Sequence, residues 1–405
     1  MQVAPVRGLG QDAAGVEKAL EGLPPEVRRQ VRLVPEPSPG TSATSDDPLD
    51  VAIRLALQIS GDNETRDRHL HLCGRQALAQ GRLATARDVA ARIGDHRAGL
   101  LLLDLAEVEA SQNPARAREL LDLAASLPAR LKAWQAESLL ARLISTGSLL
   151  GCSEAVIEAW WQALRDPAAR YVATATLLAQ ASAGSGTFDL AGLRAAGQDP
   201  TVLGRPVPGL HEVARRLFDQ ALDRLASSDP HQLAEGQKLL EAALEVLTLS
   251  RVAHAELLLE TSVRFFEAGH QAQARQLFGR AEGRLGAPHE QQARLLCQFA
   301  RLWRLRGRAG DLQPVLEQAE ADARRMEVMH HPFAFAWLAA AHAEAGDDVR
   351  AKSLLDEAVH ACRNNPNRRT ALAGAVEICL CQARTGRPLP AGLLEGLAGG
   401  ATAVN

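Results

Sequence analysis

Histidine, cysteine and carboxylate residues at fixed spacing are where a chain most openly declares chemistry, and this one offers several such places. His69-x-His71-x-Cys73 has the residue types of a metal site. On a helix, residues two apart point about 200° away from each other, so these three cannot converge on one ion. Cys379-Leu380-Cys381 fails for the same reason. His211-Glu212 and His289-Glu290 open like a zinc-protease helix, whose second histidine follows four positions on. Those positions hold Arg215 and Ala293 instead. His330-His331-Pro332 reads as a helix start, with Pro suited to the first turn. The chain has no GxxxxGK[ST] loop, GxSxG elbow or paired-carboxylate signature. The expectation is therefore a protein that is not an enzyme and uses no cofactor or metal.

Composition narrows the partners. The formal charge of −3 over 405 residues gives no general pull toward nucleic acid or anionic membrane. Arginine dominates the cations, with lysine only at Lys18, Lys132, Lys238 and Lys352, a bias that reads as codon usage. Thr85 to Leu103 mimics the spacing of a DNA-reading helix-turn-helix. Its reading helix would carry Leu100 to Leu103, which offer nothing to a base edge, so no nucleic-acid partner is expected. The six cysteines, Cys73, Cys152, Cys297, Cys362, Cys379 and Cys381, form no CxxC and read as buried thiols of a reducing compartment. The first residues lack the apolar run of a signal peptide. Ala98 to Val108, the most apolar run, is broken by Asp104 and too short to span a bilayer. A cytoplasmic location without membrane insertion follows as the expectation.

The elements that position these residues read as helices throughout. Apolar residues make up 46% of the chain but aromatics only 3%, so Ala and Leu must supply the buried surface through close helix packing. No stretch alternates with the period of two that a half-buried strand requires. Residues 1–47 read as a flexible lead whose end, Pro35 to Asp47, has linker composition. Ser45-Asp46-Asp47 before Pro48 is a helix start. A helical block is expected over 48–182, a Gly/Ser/Pro-rich hinge over 183–208, a second block over 209–397 and a tail over 398–405.

Small residues return in helix pairs. Leu70, Cys73 and Gly74 precede Gly81, and Ala86, Ala90 and Ile93 follow it. Leu101, Leu105 and Val108 precede Asn113-Pro114, with Ala117, Leu121 and Ala124 after. Leu258, Thr261, Ser262 and Phe265 lead to Gly269, then Ala274, Phe278 and Ala281. Leu296, Phe299, Ala300 and Trp303 lead to Gly307, then Leu312, Leu316 and Ala319. Phe335, Leu338, Ala339 and His342 lead to Gly346, then Ala351, Leu355 and Ala358. Ala or Gly at a crossing lets two backbones approach, while Leu or Phe a turn away fills the flanking gap. In this pattern the chain resembles the tetratricopeptide-repeat superfamily over about half its length. It departs from the family in its turn glycines 269, 307 and 346, which lie 38 and 39 residues apart, where the usual unit has about 34. The resemblance implies an all-α fold, a right-handed α–α superhelix of stacked helix pairs.

It also implies which residues face a partner, because the first helix of each pair lines the concave side. In the fourth pair these are Arg294, Cys297, Gln298, Arg301 and Arg304; in the third, Glu256, Glu260 and Phe266; in the fifth, Phe333 and Trp337. A cationic stripe beside apolar residues suits an acidic or amphipathic segment laid in a groove. The Lys/Asn clamp with which some members hold C-terminal carboxylates is missing. The matching positions hold His71 and Arg75, Leu102 and Ala106, and Leu259 and Val263. The implied function is a protein- or peptide-binding scaffold or adaptor. The alternative is a regulatory sensor closing on a peptide or small molecule between two blocks.

Overall fold

The computed structural model describes residues 46–199, 202, 206–207, 209–250, 254–282 and 313–394. Every regular element among them is a helix. The α-helices are α1 (Pro48–Gln58), α2 (Asn63–Ala79), α3 (Leu83–Ala90), α4 (His96–Glu109), α5 (Pro114–Ala125), α6 (Ala133–Leu149), α7 (Glu154–Ala163), α8 (Pro167–Ser185), α9 (Leu190–Ala196), α10 (Leu210–Leu225), α11 (Pro230–Leu249), α12 (Ala255–Glu267), α13 (Gln271–Glu282), α14 (Gln313–Arg325), α15 (His331–Ala345), α16 (Asp348–Arg363) and α17 (Arg368–Thr385). No helix among the described residues is long and apolar enough to cross a membrane.

Local signals set the boundaries. Asp47 caps α1, accepting from the Leu49 and Asp50 amides at 3.0 and 3.1 Å, and Pro48 opens the helix. A carboxylate at that position satisfies amides that have no partner within the helix. Gly269 and Gly346 end α12 and α15 in the left-handed region, at φ 88° and 91°, where a side chain would be strained. The pair α10/α11 turns without glycine. Asp229 caps α11 by accepting from the His231 amide at 3.0 Å, and Pro230 fills the first turn.

Packing follows two series. Helices α2, α4, α6, α8, α10 and α12 each touch the next, and the intervening helices pack on them: α3 against α2 and α4, α5 against α4, α7 against α6, and α11 and α13 against α10 and α12. Small residues let neighbouring helices approach. A Cβ on Gly99 of α4 would sit 2.6 Å from the Leu139 methyls of α6, and one on Gly374 of α17 would sit 2.5 Å from Pro332 of α15.

The series does not end in a free face. Helix α17 packs against α1 and α2, so among the described residues the helix nearest the N-terminus meets the one nearest the C-terminus. The Gln80 side chain donates to the Ala383 carbonyl at 3.1 Å, and Arg369 pairs with Asp62, the cap of α2, at 3.3 Å. An open stack would leave these ends apart.

In the 183–208 segment, expected as a hinge, α8 covers the start and α9 lies within it; Phe188, Leu193, Val202 and Val207 are buried, while most of its other described residues are exposed or half-buried. One apolar cluster runs through it from Leu49 to Leu393. Gly and Pro mark where the backbone bends, and the apolar residues between them still find a core.

Candidate functional site

A convergence of polar side chains lies on helices α4, α6, α10 and α12. Along α10, Leu210, Val213, Ala214, Leu217, Phe218 and Ala221 are buried, while Glu212, Arg215, Arg216 and Asp219 occupy the opposite stripe. That spacing of three and four residues puts all four on one side of a helix. Across from them, α4 contributes Asp104 and Glu107, and α6 contributes Arg142 and Thr146.

The side chains form a continuous network. Arg142 reaches Asp104 at 2.9 Å and Glu107 at 3.2 Å. Thr146 donates its hydroxyl to Glu107 at 2.6 Å, and Arg216 donates to the same carboxylate at 2.7 Å. The Arg216–Glu107 contact joins residues 109 positions apart. Arg215 reaches Glu260 of α12 at 3.2 Å, His211 lies 2.8 Å from Glu212, and Arg264 of α12 pairs with Asp219.

Burial makes these charges interdependent. It works against the Arg142 charge, but Glu107 and Asp104 hold the guanidinium above its ordinary pKa. It would likewise raise Glu212, yet the His211 hydrogen bond and the His211, Arg215 and Arg142 charges bring that carboxyl well below its usual range. Asp104 is raised by burial despite Arg142 and Arg75. His71 of α2 is lowered to about 4 by burial and by Arg75. Cys73 and Cys379 are pushed up, chiefly by burial, and Cys362 is pushed up to about 12, so these thiols stay protonated at neutral pH.

Two concavities adjoin the helices. One of about 630 Å³ opens among α4, α6, α8 and α10 beside the network, with Glu107, Gln180, Arg216 and Asp219 in its wall. A larger groove of about 1090 Å³ lies along α14, α15 and α16. Its Arg324 is tied to Glu357, with one contact of 3.0 Å.

Of the residues the sequence placed on a concave face, Arg294, Cys297, Gln298, Arg301 and Arg304 lie outside the described residues, as does the side chain of Glu256. Glu260 joins the network through Arg215. Phe266 is half-buried and packed on the core. Phe333 and Trp337 are only 8% and 7% exposed. The Trp337 indole donates to Glu377 of α17 at 3.1 Å, and Glu377 in turn lies 3.9 Å from His69. These two aromatics therefore fill the packing of α15 instead of standing free as anchors. Aromatic residues in the first helix of a pair meet either a groove or a neighbouring helix, and here α17 is that neighbour.

Glu107, Arg142 and Arg216 were not singled out from the sequence. The signal was present in part: His211-Glu212 and Arg215 stood out only as a failed zinc motif, whereas Glu212, Arg215, Arg216 and Asp219 at i, i+3, i+4 and i+7 form a polar stripe. No group of three or more potential metal ligands occurs among the described residues. Comparison with protein-family models, curated proteins and solved structures gives no match.

Proposed function

We propose that this chain is a non-enzymatic binding module, a scaffold or adaptor that receives a protein or peptide segment along the series α2, α4, α6, α8, α10 and α12. The observation that supports this reading most is the α10 stripe. Glu212, Arg215, Arg216 and Asp219 face other helices of this series and a cavity, joined to side chains from α4 and α12. Side chains of both signs on adjacent helices suit an amphipathic segment whose polar face carries both charges. The helix pairs that resemble tetratricopeptide repeats favour the same use, since stacked pairs expose long surfaces for partner chains.

Peptide display on the immobilised full chain tests the reading. Peptides selected on the wild type should bind Arg75→Glu, altered at an exposed site on α2 of this series, at least about tenfold more weakly. They should bind Asp88→Arg, altered at an exposed site on α3, as tightly as wild type. Equal binding to both variants, or no enrichment at all, would remove this series as the working surface.

A further inference from the structure

The cavity among α4, α6, α8 and α10 has spare hydrogen-bonding capacity of both kinds. Arg216 forms part of its wall, and a guanidinium carries five N–H donors. One nitrogen is engaged with Glu107, a carboxylate that already serves Arg142 and Thr146. Asp219 gives Oδ1 to Arg264. Gln180 donates its amide to the Ser145 carbonyl, which fixes the opposite end of the side chain. Its Oε1 is sealed from solvent and accepts no hydrogen bond.

Glu107, the second carboxylate of the wall, is shared between Arg142 and Arg216; beside it Arg216 and Asp219, three residues apart on α10, place a cation and an anion one helical turn from each other. A ligand with a single charge would meet an opposite charge at one of these groups and a like charge at the other. A ligand with both charges finds a partner for each. Leu149, Leu177 and Ala181 supply an apolar side to the same space.

We propose that this cavity binds a zwitterionic amino acid with an aliphatic side chain. Its carboxylate lies on Arg216, its ammonium on Asp219, and its side chain against the leucines. The volume of about 630 Å³ falls within the range of small-molecule sites and admits such a ligand without displacing a helix. Arg216 is paired with Glu107 and Asp219 with Arg264, and burial still lowers the Arg216 pKa and raises that of Asp219. This inference goes beyond the scaffold reading and does not depend on it.

Isothermal titration of the full chain with L-leucine, isocaproate and isoamylamine tests the proposal, since the last two each keep one of leucine's charges. L-leucine should bind, and each half-molecule should bind at least about tenfold more weakly. Arg216→Gln should abolish the advantage of leucine over isoamylamine, and Asp219→Asn its advantage over isocaproate. Asp219 is half-exposed, so its variant keeps the test alive should Arg216→Gln fail to fold. Equal binding of leucine and either half-molecule would overturn the proposal. So would the absence of heat at millimolar leucine, provided the other standard amino acids were also silent in a thermal-shift screen.

Discussion

Helices α10 and α15 each open a packed helix pair but meet different surroundings. Helix α10 has a strict two-sided pattern, with leucines on one side and Glu212, Arg215, Arg216 and Asp219 on the other. Helix α15 is buried on all sides, without a break from Pro332 to Ala343, and α17 is buried likewise from Ala371 to Gln382. The polar groups that α15 and α17 do carry are tied inward: Trp337 to Glu377, and His342, which lies 2.9 Å from Glu320 of α14. One architecture thus provides a charged surface in one region and a sealed, alanine-rich interior in another. The first can address a ligand; the second holds helices together.

The contrast is most easily broken at Trp337. If it is a packing residue, Trp337→Ala should destabilise the fold by about 3–5 kcal/mol in denaturant unfolding, the range for truncating a buried aromatic. A loss below about 1 kcal/mol would place the side chain on the surface and return α15 to the list of partner-facing helices.

A smaller effect comes from His71, on the charged side. Its folded pKa of about 4 lies below the ordinary 6.5, so the unfolded chain binds the proton first. The neutral ring's contribution is fully present above pH 6.5 and is lost progressively as pH falls from there toward about 4. The loss should be roughly 2–3 kcal/mol, and His71→Asn should flatten that part of the stability curve. An unchanged slope in the variant would show that another group carries it.

The smallest expected effect sharpens the comparison instead of breaking it. A double-mutant cycle on Glu107→Gln and Arg216→Gln should give a coupling of about 1 kcal/mol, since the pair is half-buried and shares its carboxylate with Arg142. Coupling near zero would mean that α4 and α10 are held together by their apolar contacts alone.

What the sequence made legible was local. Gly81, Gly269 and Gly346 were readable as turns because a left-handed residue after a helix strongly favours glycine, and all three have positive φ. The small-residue crossings were readable too: Cys73, Ala86, Ala117, Ser262, Ala274 and Ala358 are all buried. Val108, placed in the same pattern, is 45% exposed, because one position of error along a helix rotates a side chain by about 100°. The α10/α11 pair escaped the template since Asp229-Pro230 makes its turn. The charged network and the meeting of α17 with α1 were out of reach for a different reason. Both depend on residues far apart in the chain, and helical periodicity records which side of a helix is apolar, not which distant helix will cover it.

The meeting of α1 with α17 bears on how the molecule is made. The contact between Gln80 and Ala383 spans 303 residues, and loop closure of that length is entropically unfavourable and slow. During synthesis α1 emerges long before α17 exists, with Leu49, Val51, Ala52 and Leu55 still lacking part of their final cover. Ordinary repeat arrays fold outward from any nucleus, each unit needing only its neighbours. Here α1 waits for α17. A nascent chain stalled before residue 368 should therefore be protease-sensitive at α1 even where its middle is already folded, and release of the remaining residues should protect it.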